Sequence, residues 1–232
     1  MTQVNQIDLE FVKNRILAKG GDFNYYANNK LTMVSENVLN NVQYCIEQCA
    51  LNNIEGDFVE TGVWKGGCVI LAYNTYKKLN QNKKVYCFDS FEGLPPPNAA
   101  AYPVDAGDIH HTHRELAVSL EEVKNNFQIF SPLDENVVFI KGWFKDTIPY
   151  NNINKISVLR LDGDMYESTI LALDYLYPKL SIGGFCIIDD YIHRGARAAV
   201  EDYRAKFKID DPIILADNAP KAYPTSYWIK SK

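Results

Sequence analysis

Residues 57–67 read DFVETGVWKGG and lead through GGCVILAYNTYKKL (66–79) into KVYCFDSF (84–91). The outer runs are short and rich in β-branched and aromatic residues, whereas the middle run is apolar at helical spacing, so the segment predicts strand, helix, strand. Two strands joined by a helical crossover lie parallel. The pattern continues outward through a helix near 119–129, strands at NVVFIKGW (136–143) and ISVLRLDGD (156–164), a helix at 168–180, the strand GGFCIIDDY (183–191) and a helix at 196–207. PIILADN (212–218) and SYWIKS (226–231) then predict an antiparallel hairpin closing one edge, joined by a loop containing Pro and Asn. Upstream, residues 7–18 and 33–51 carry apolar residues at helical spacing and read as an N-terminal helical cap over 1–55. The expected fold is α/β: a doubly wound, mainly parallel, seven-stranded Rossmann-like sheet over 56–232, in one domain spanning 1–232.

Composition narrows the partners. The chain is 47% hydrophobic and 23% charged with a net charge of −5, well inside the globular range. A sequence pI near 5.4 argues against a nucleic-acid binder, which needs a basic face to neutralise phosphates. No stretch approaches the ~20 apolar residues that span a bilayer, and the N-terminus lacks a basic region leading into an apolar one. The expectation is a cytoplasmic protein with a small-molecule partner and no membrane partner; a homo-oligomer is compatible with the sequence. Five cysteines, Cys45, Cys49, Cys68, Cys87 and Cys186, lie within apolar segments and read as reduced core thiols.

Chemistry concentrates at strand ends. Glu60, Thr61, Gly62, Trp64 and Gly66 occupy the turn from the first strand into its helix, where glycines allow backbone to approach a ligand. Asp89, followed by Ser90, ends the second strand, where an acid can accept both hydroxyls of a ribose. The turn lacks G-x-G-x-x-G, which counts against a nicotinamide-dependent oxidoreductase. With no diphosphate to cradle, an S-adenosylmethionine site needs fewer glycines and more carboxylates. Asp162 and Asp164 end the fourth strand and Asp189 and Asp190 the fifth, so four acids converge if the strands are neighbours. Unneutralised, they would repel, and an all-oxygen set favours a hard cation such as magnesium, with manganese or calcium as alternatives. Each acid alone could also cap a helix; Asp164 could cap the helix near Ser168. Residues 92–114, EGLPPPNAAAYPVDAGDIHHTHR, have no apolar period and follow the second strand, which suggests a lid over the site.

DFVETGVWKGG, FDSFEGLP, LRLDGDMYEST and IIDDY closely resemble the macrocin O-methyltransferase family, which modifies sugar hydroxyls in natural products. The resemblance runs from about Asp57 to Tyr203. It implies a class I methyltransferase fold, S-adenosyl-L-methionine as donor, a sugar-like acceptor, and a magnesium site at Asp162, Asp189 and Asp190. In that setting Glu60, Thr61, Gly62, Trp64, Gly66, Asp89, Ser90, Gly142, Trp143 and Asp162 are the expected donor-binding residues, with Trp143 flanking the adenine. Catechol-type relatives carry a lysine base shortly after the first metal aspartate, but Met165 stands there in this chain. The expected proton acceptor is therefore Asp164 or Asp162. His110, His111 and His113 in the lid, and His193, are secondary candidates, with metal binding disfavoured in a loop without a fixed scaffold. A phenolic acceptor and a non-catalytic donor-binding module are the rival readings.

Overall fold

In the computed structural model, residues 7–19, 29–216 and 225–232 are described. Helices α1 (Leu9–Ile16) and α2 (Glu36–Leu51) precede strand β1 (Asp57–Thr61), α3 (Gly67–Lys78), β2 (Val85–Asp89), α4 (Leu120–Gln128) and β3 (Val137–Lys141). A short helix α5 (Phe144–Thr147), unforeseen in the sequence, leads to β4 (Ile156–Leu161), α6 (Tyr166–Leu176), β5 (Leu180–Ile188), α7 (Arg194–Phe207), β6 (Ile214–Leu215) and β7 (Ser226–Ile229). The sheet order is β3-β2-β1-β4-β5-β7-β6. Strands β1 to β5 pair in parallel, and β7 runs antiparallel to both β5 and β6. This is the expected doubly wound sheet with its hairpin, although the loop expected to join the last two strands lies almost wholly outside the described residues.

Both sheet faces are covered, which explains why the parallel strands read as nearly unbroken apolar runs. Alternate residues divide between two cores. Phe58, Val158 and Ile187 join α1, α2, α3 and α4 on one face. Val59, Leu159 and Ile188 join α6 and α7 on the other. The cap is built into the first of these layers. Gly67 donates its backbone N–H to Leu31 O at 2.9 Å, and a Cβ at Gly67 would stand 2.6 Å from that oxygen, so the strand-to-helix turn tolerates no side chain there. Ser35 and Ser119 cap α2 and α4, accepting from Val38 N and Glu122 N. No described helix is long and apolar enough to cross a membrane.

The order of strands reverses between β1 and β4, so their carboxyl ends border a crevice. The long segment after β2 lies over it. Within residues 92–114 the chain makes 3-10 turns at Pro103–Asp105 and His110–Thr112, and contacts in it and just beyond its end anchor it to the body of the protein. Trp64 Nε1 donates to Glu115 O at 2.8 Å. Asp105, 3% exposed, accepts from Tyr166 N at 2.8 Å and Glu167 N at 3.1 Å. The first turn of α6 is thus capped across the crevice by the lid, not by Asp164, and the helix begins at Tyr166 instead of near Ser168. A Cβ on Gly195, at the start of α7, would lie 2.6 Å from Asp105 Oδ1, so the two helices and the lid close on one another here. Asp105→Ala is expected to cost about 0.5–2 kcal/mol, the range for a lost N-cap. For a domain of this size that lowers the melting temperature by roughly 1–8 °C; an unchanged melting curve would show that the lid contributes nothing to α6.

Candidate active site

β4 is buried along its whole length and yet carries Arg160 near its end. A guanidinium in such a strand needs carboxylates, and the register supplies them: Glu60 on β1 is the direct neighbour of Arg160. One terminal nitrogen of Arg160, Nη1, donates to Glu60 Oε1 and, at 2.8 Å, to Asp162 Oδ2. The other, Nη2, forms an ion pair with Asp189 Oδ1 at 2.5 Å, without hydrogen-bond alignment. Thr225 Oγ1 also donates to Asp189 Oδ1, at 2.9 Å. The one charged residue in the run ISVLRL was the sequence signal for this hub, which spacing arguments about the acids alone overlook.

Around the hub the acids gather as their positions at strand ends predict. Asp162, Asp189 and Asp190 each offer an oxygen, all within 4.8 Å of one another. Asp190 Oδ2 also accepts from Asp164 N at 2.8 Å, which holds Asp164 at a left-handed φ of 60°. Burial and the neighbouring Asp189 push the Asp162 carboxyl well above the usual range, although one side of it faces the cavity. Burial, with Asp164 and Asp189, does the same to Asp190. Burial and the nearby Asp162 raise Asp164 to about 7, and burial raises Glu60 to about 7 against the pull of Arg160. A single guanidinium therefore does not neutralise the set. Three clustered carboxylates with oxygen-only donors fit a hard divalent cation, whose charge would favour the ionised forms.

Two adjoining cavities of about 600 and 480 Å³ share Met33, Trp64, Leu116, Asp162 and Asp164. The larger brings together Gly62, Trp64, Asp89, Ser90, Trp143 and Asp162 from the expected donor site. Asp89 accepts from Val63 N at 2.8 Å on one oxygen and from Phe91 N at 2.7 Å on the other, and each oxygen keeps a further lone pair for a ligand. Gly62 is fixed by crowding: its φ is +85° and a Cβ there would stand 1.8 Å from Asp162 O. Ser90 is engaged locally, donating to Gly93 O at 2.6 Å. The smaller cavity holds Glu60, Arg160, Asp189, Asp190, His110 and His193. Thr61, Gly66 and Gly142 line neither cavity. Thr61 is buried, Gly66 lies against Val123, and Gly142 N donates to Asp89 O at 2.9 Å. Of the lid histidines, His110 turns toward the acids, His111 is exposed, and His113 pairs with Glu115 at 3.0 Å. The lid is docked, so a missing scaffold is no argument against metal binding by His110. Met165 is buried and carries no proton chemistry.

The family model for Macrocin-O-methyltransferase (TylF) matches residues 3–226. The chain is 46% identical over 188 residues to the 8-demethyl-8-(2,3-dimethoxy-alpha-L-rhamnosyl)-tetracenomycin-C 4'-O-methyltransferase of Streptomyces olivaceus, covering 80% of this chain and 72% of that one. It is 45% identical over 195 residues to the demethyldecarbamoylnovobiocin O-methyltransferase of Streptomyces niveus, covering 82% and 73%. To the mycinamicin III 3''-O-methyltransferase of Micromonospora griseorubida it is 41% identical over 204 residues, covering 86% and 78%. Among solved structures, the O-methyltransferase NovP superposes with a TM-score of 0.89 at 36% identity, covering 97% of this chain and 98% of that one. On this family match and these relatives, the chain belongs to the macrocin O-methyltransferase family and is an O-methyltransferase.

Proposed function

We propose that the protein transfers a methyl group from S-adenosyl-L-methionine to a hydroxyl of a sugar carried by a small natural product, at a site served by magnesium. The family membership implies the donor, and the relatives at 41–46% identity include enzymes named for methylating a rhamnosyl position and mycinamicin III. The observation that carries the reading on this chain is the wall shared by the two cavities, where Asp162 and Asp164 stand between the Asp89 pocket and the acidic cluster. Asp89, at the end of β2, is suited to accept the ribose hydroxyls, and Trp143 to flank the adenine. Glu60, already paired with Arg160, keeps Oε2 without a partner among the described residues and is suited to the donor's ammonium.

Asp162, Asp189 and Asp190 would hold the cation, which would supply positive charge that favours loss of the acceptor's proton. The chain's own residues do the rest. The acceptor hydroxyl gives its proton to a carboxylate oxygen of Asp164 while its oxygen attacks the methyl carbon from behind. The C–O bond forms as the S–C bond breaks, and the sulfonium leaves as a neutral thioether, which needs no acid. The five cysteines are all free and buried, which fits a reducing, cytoplasmic compartment.

The test is direct. Purified protein given donor, magnesium and a panel of glycosides and catechols should form one methyl ether per thioether product, with the methyl on a sugar hydroxyl. Turnover confined to catechols would replace the sugar acceptor with a phenolic one.

A further inference from the structure

We propose that His110, Asp164 and His193 form a second cation site, selective for imidazole-preferring divalent ions such as zinc or cobalt and separate from the oxygen-only set. The three side chains offer ligand atoms that all lie within 4.8 Å of one another. They come from three segments: a 3-10 turn of the lid, the loop after β4, and the residue preceding α7. Local sequence crowding therefore does not explain their meeting.

The geometry around His110 has the form of a supported metal ligand. Asp108 Oδ2 lies 2.7 Å from His110 Nδ1, and Asp108 Oδ1 accepts the His110 backbone N–H at 2.9 Å. A carboxylate on one ring nitrogen fixes the orientation of the imidazole and raises the basicity of the other nitrogen, here Nε2. The His110 and His193 rings meet edge to face with centroids 5.4 Å apart, which brings ring atoms together without stacking. Asp164 is held in place by its backbone bond to Asp190 Oδ2. All three residues are half-buried and line the smaller cavity, so an ion can enter from it.

Two nitrogens and one oxygen favour zinc, cobalt or nickel over magnesium, which takes oxygen ligands. An ion here would tie the lid to both acidic loops. It would also occupy the Asp164 carboxylate and so inhibit transfer; this consequence rests on the assignment of Asp164 as proton acceptor, whereas the binding itself does not.

The probe is cobalt(II), added to the whole 232-residue chain in saturating magnesium without donor or acceptor and followed by hyperfine-shifted imidazole ring-proton NMR signals. The chain has four histidines, so the signals can be assigned by substitution. The expected result is two shifted imidazoles in the wild type, retained in Asp189→Asn and lost in the His110→Ala, His193→Ala double variant. Asp108→Asn, which keeps every ligand, should weaken cobalt binding by about 10–100-fold. Absence of shifted imidazole signals in the wild type overturns the proposal, as does their survival in the double variant. Because no methyl transfer is read, the outcome is independent of whether the acceptor is a sugar.

Discussion

Replacing Asp164 by asparagine is expected to slow methyl transfer by about 10²–10⁴-fold, with donor affinity and melting temperature nearly unchanged. The substitution removes proton acceptance and little else. Asparagine keeps the size of the side chain and the backbone N–H that donates to Asp190 Oδ2, and it tolerates the left-handed φ of 60° better than other residues do. A purely structural role as a helix cap would instead predict a nearly unchanged rate, since asparagine caps nearly as well as aspartate. That role is already filled, since the N-terminus of α6 is capped by Asp105 and not by Asp164. The loss should fall on kcat with KM for the donor preserved, because the donor pocket around Asp89 is untouched. A kcat near the wild-type value would reject Asp164 and move the proton to Asp162.

Arg160→Leu is expected to destabilise the fold by about 3–5 kcal/mol, the cost of removing one partner from a buried ion pair. For a chain of this length the melting temperature should fall by roughly 6–20 °C. Arg160 is 1% exposed and faces Glu60, Asp162 and Asp189, so its loss leaves buried carboxylates with no positive partner. Asp162 and Asp189 retain access to a cation, but Glu60 is 2% exposed and must take up a proton or expose itself. Magnesium should therefore restore only part of the lost stability. Arg160→Lys keeps the charge but cannot bridge three carboxylates from one planar fork, and should fall between the two. A leucine variant that melts with the wild type would mean that the acids, not the arginine, set the energetics of this strand.

Much of the architecture was legible because periodicity and burial agree. The strands from DFVET to FCII are apolar on both faces because helices cover both, and a parallel sheet follows from the crossovers. The acids were legible for the same reason: a polar residue ending a buried strand must face the crevice. What was not legible depends on contacts between distant segments. The helix after β4 begins at Tyr166 because Asp105, 61 residues upstream, reaches its first turn. No local signal in MYEST reveals that cap. Periodicity likewise offered no order for residues 92–114, since the loop is held by scattered contacts to distant segments, among them the buried Asp105 carboxylate, the Trp64 N–H bond just beyond its end and the Tyr102–Tyr166 ring pair, not by a periodic apolar face. The cation expected to resolve the repulsion among the acids turned out to have a resident companion in Arg160, visible in the sequence only as a charge where none belongs.

The proposed methyl transfer rests on a cation held by Asp162, Asp189 and Asp190. The direct measurement is the rate of methyl transfer to a glycoside by protein stripped of metal with a chelator, its metal content verified by elemental analysis, before and after magnesium is returned. The predicted result is loss of turnover on stripping and recovery with magnesium in the wild type but not in Asp189→Asn, with donor still bound throughout. Undiminished turnover by verified metal-free protein would contradict it.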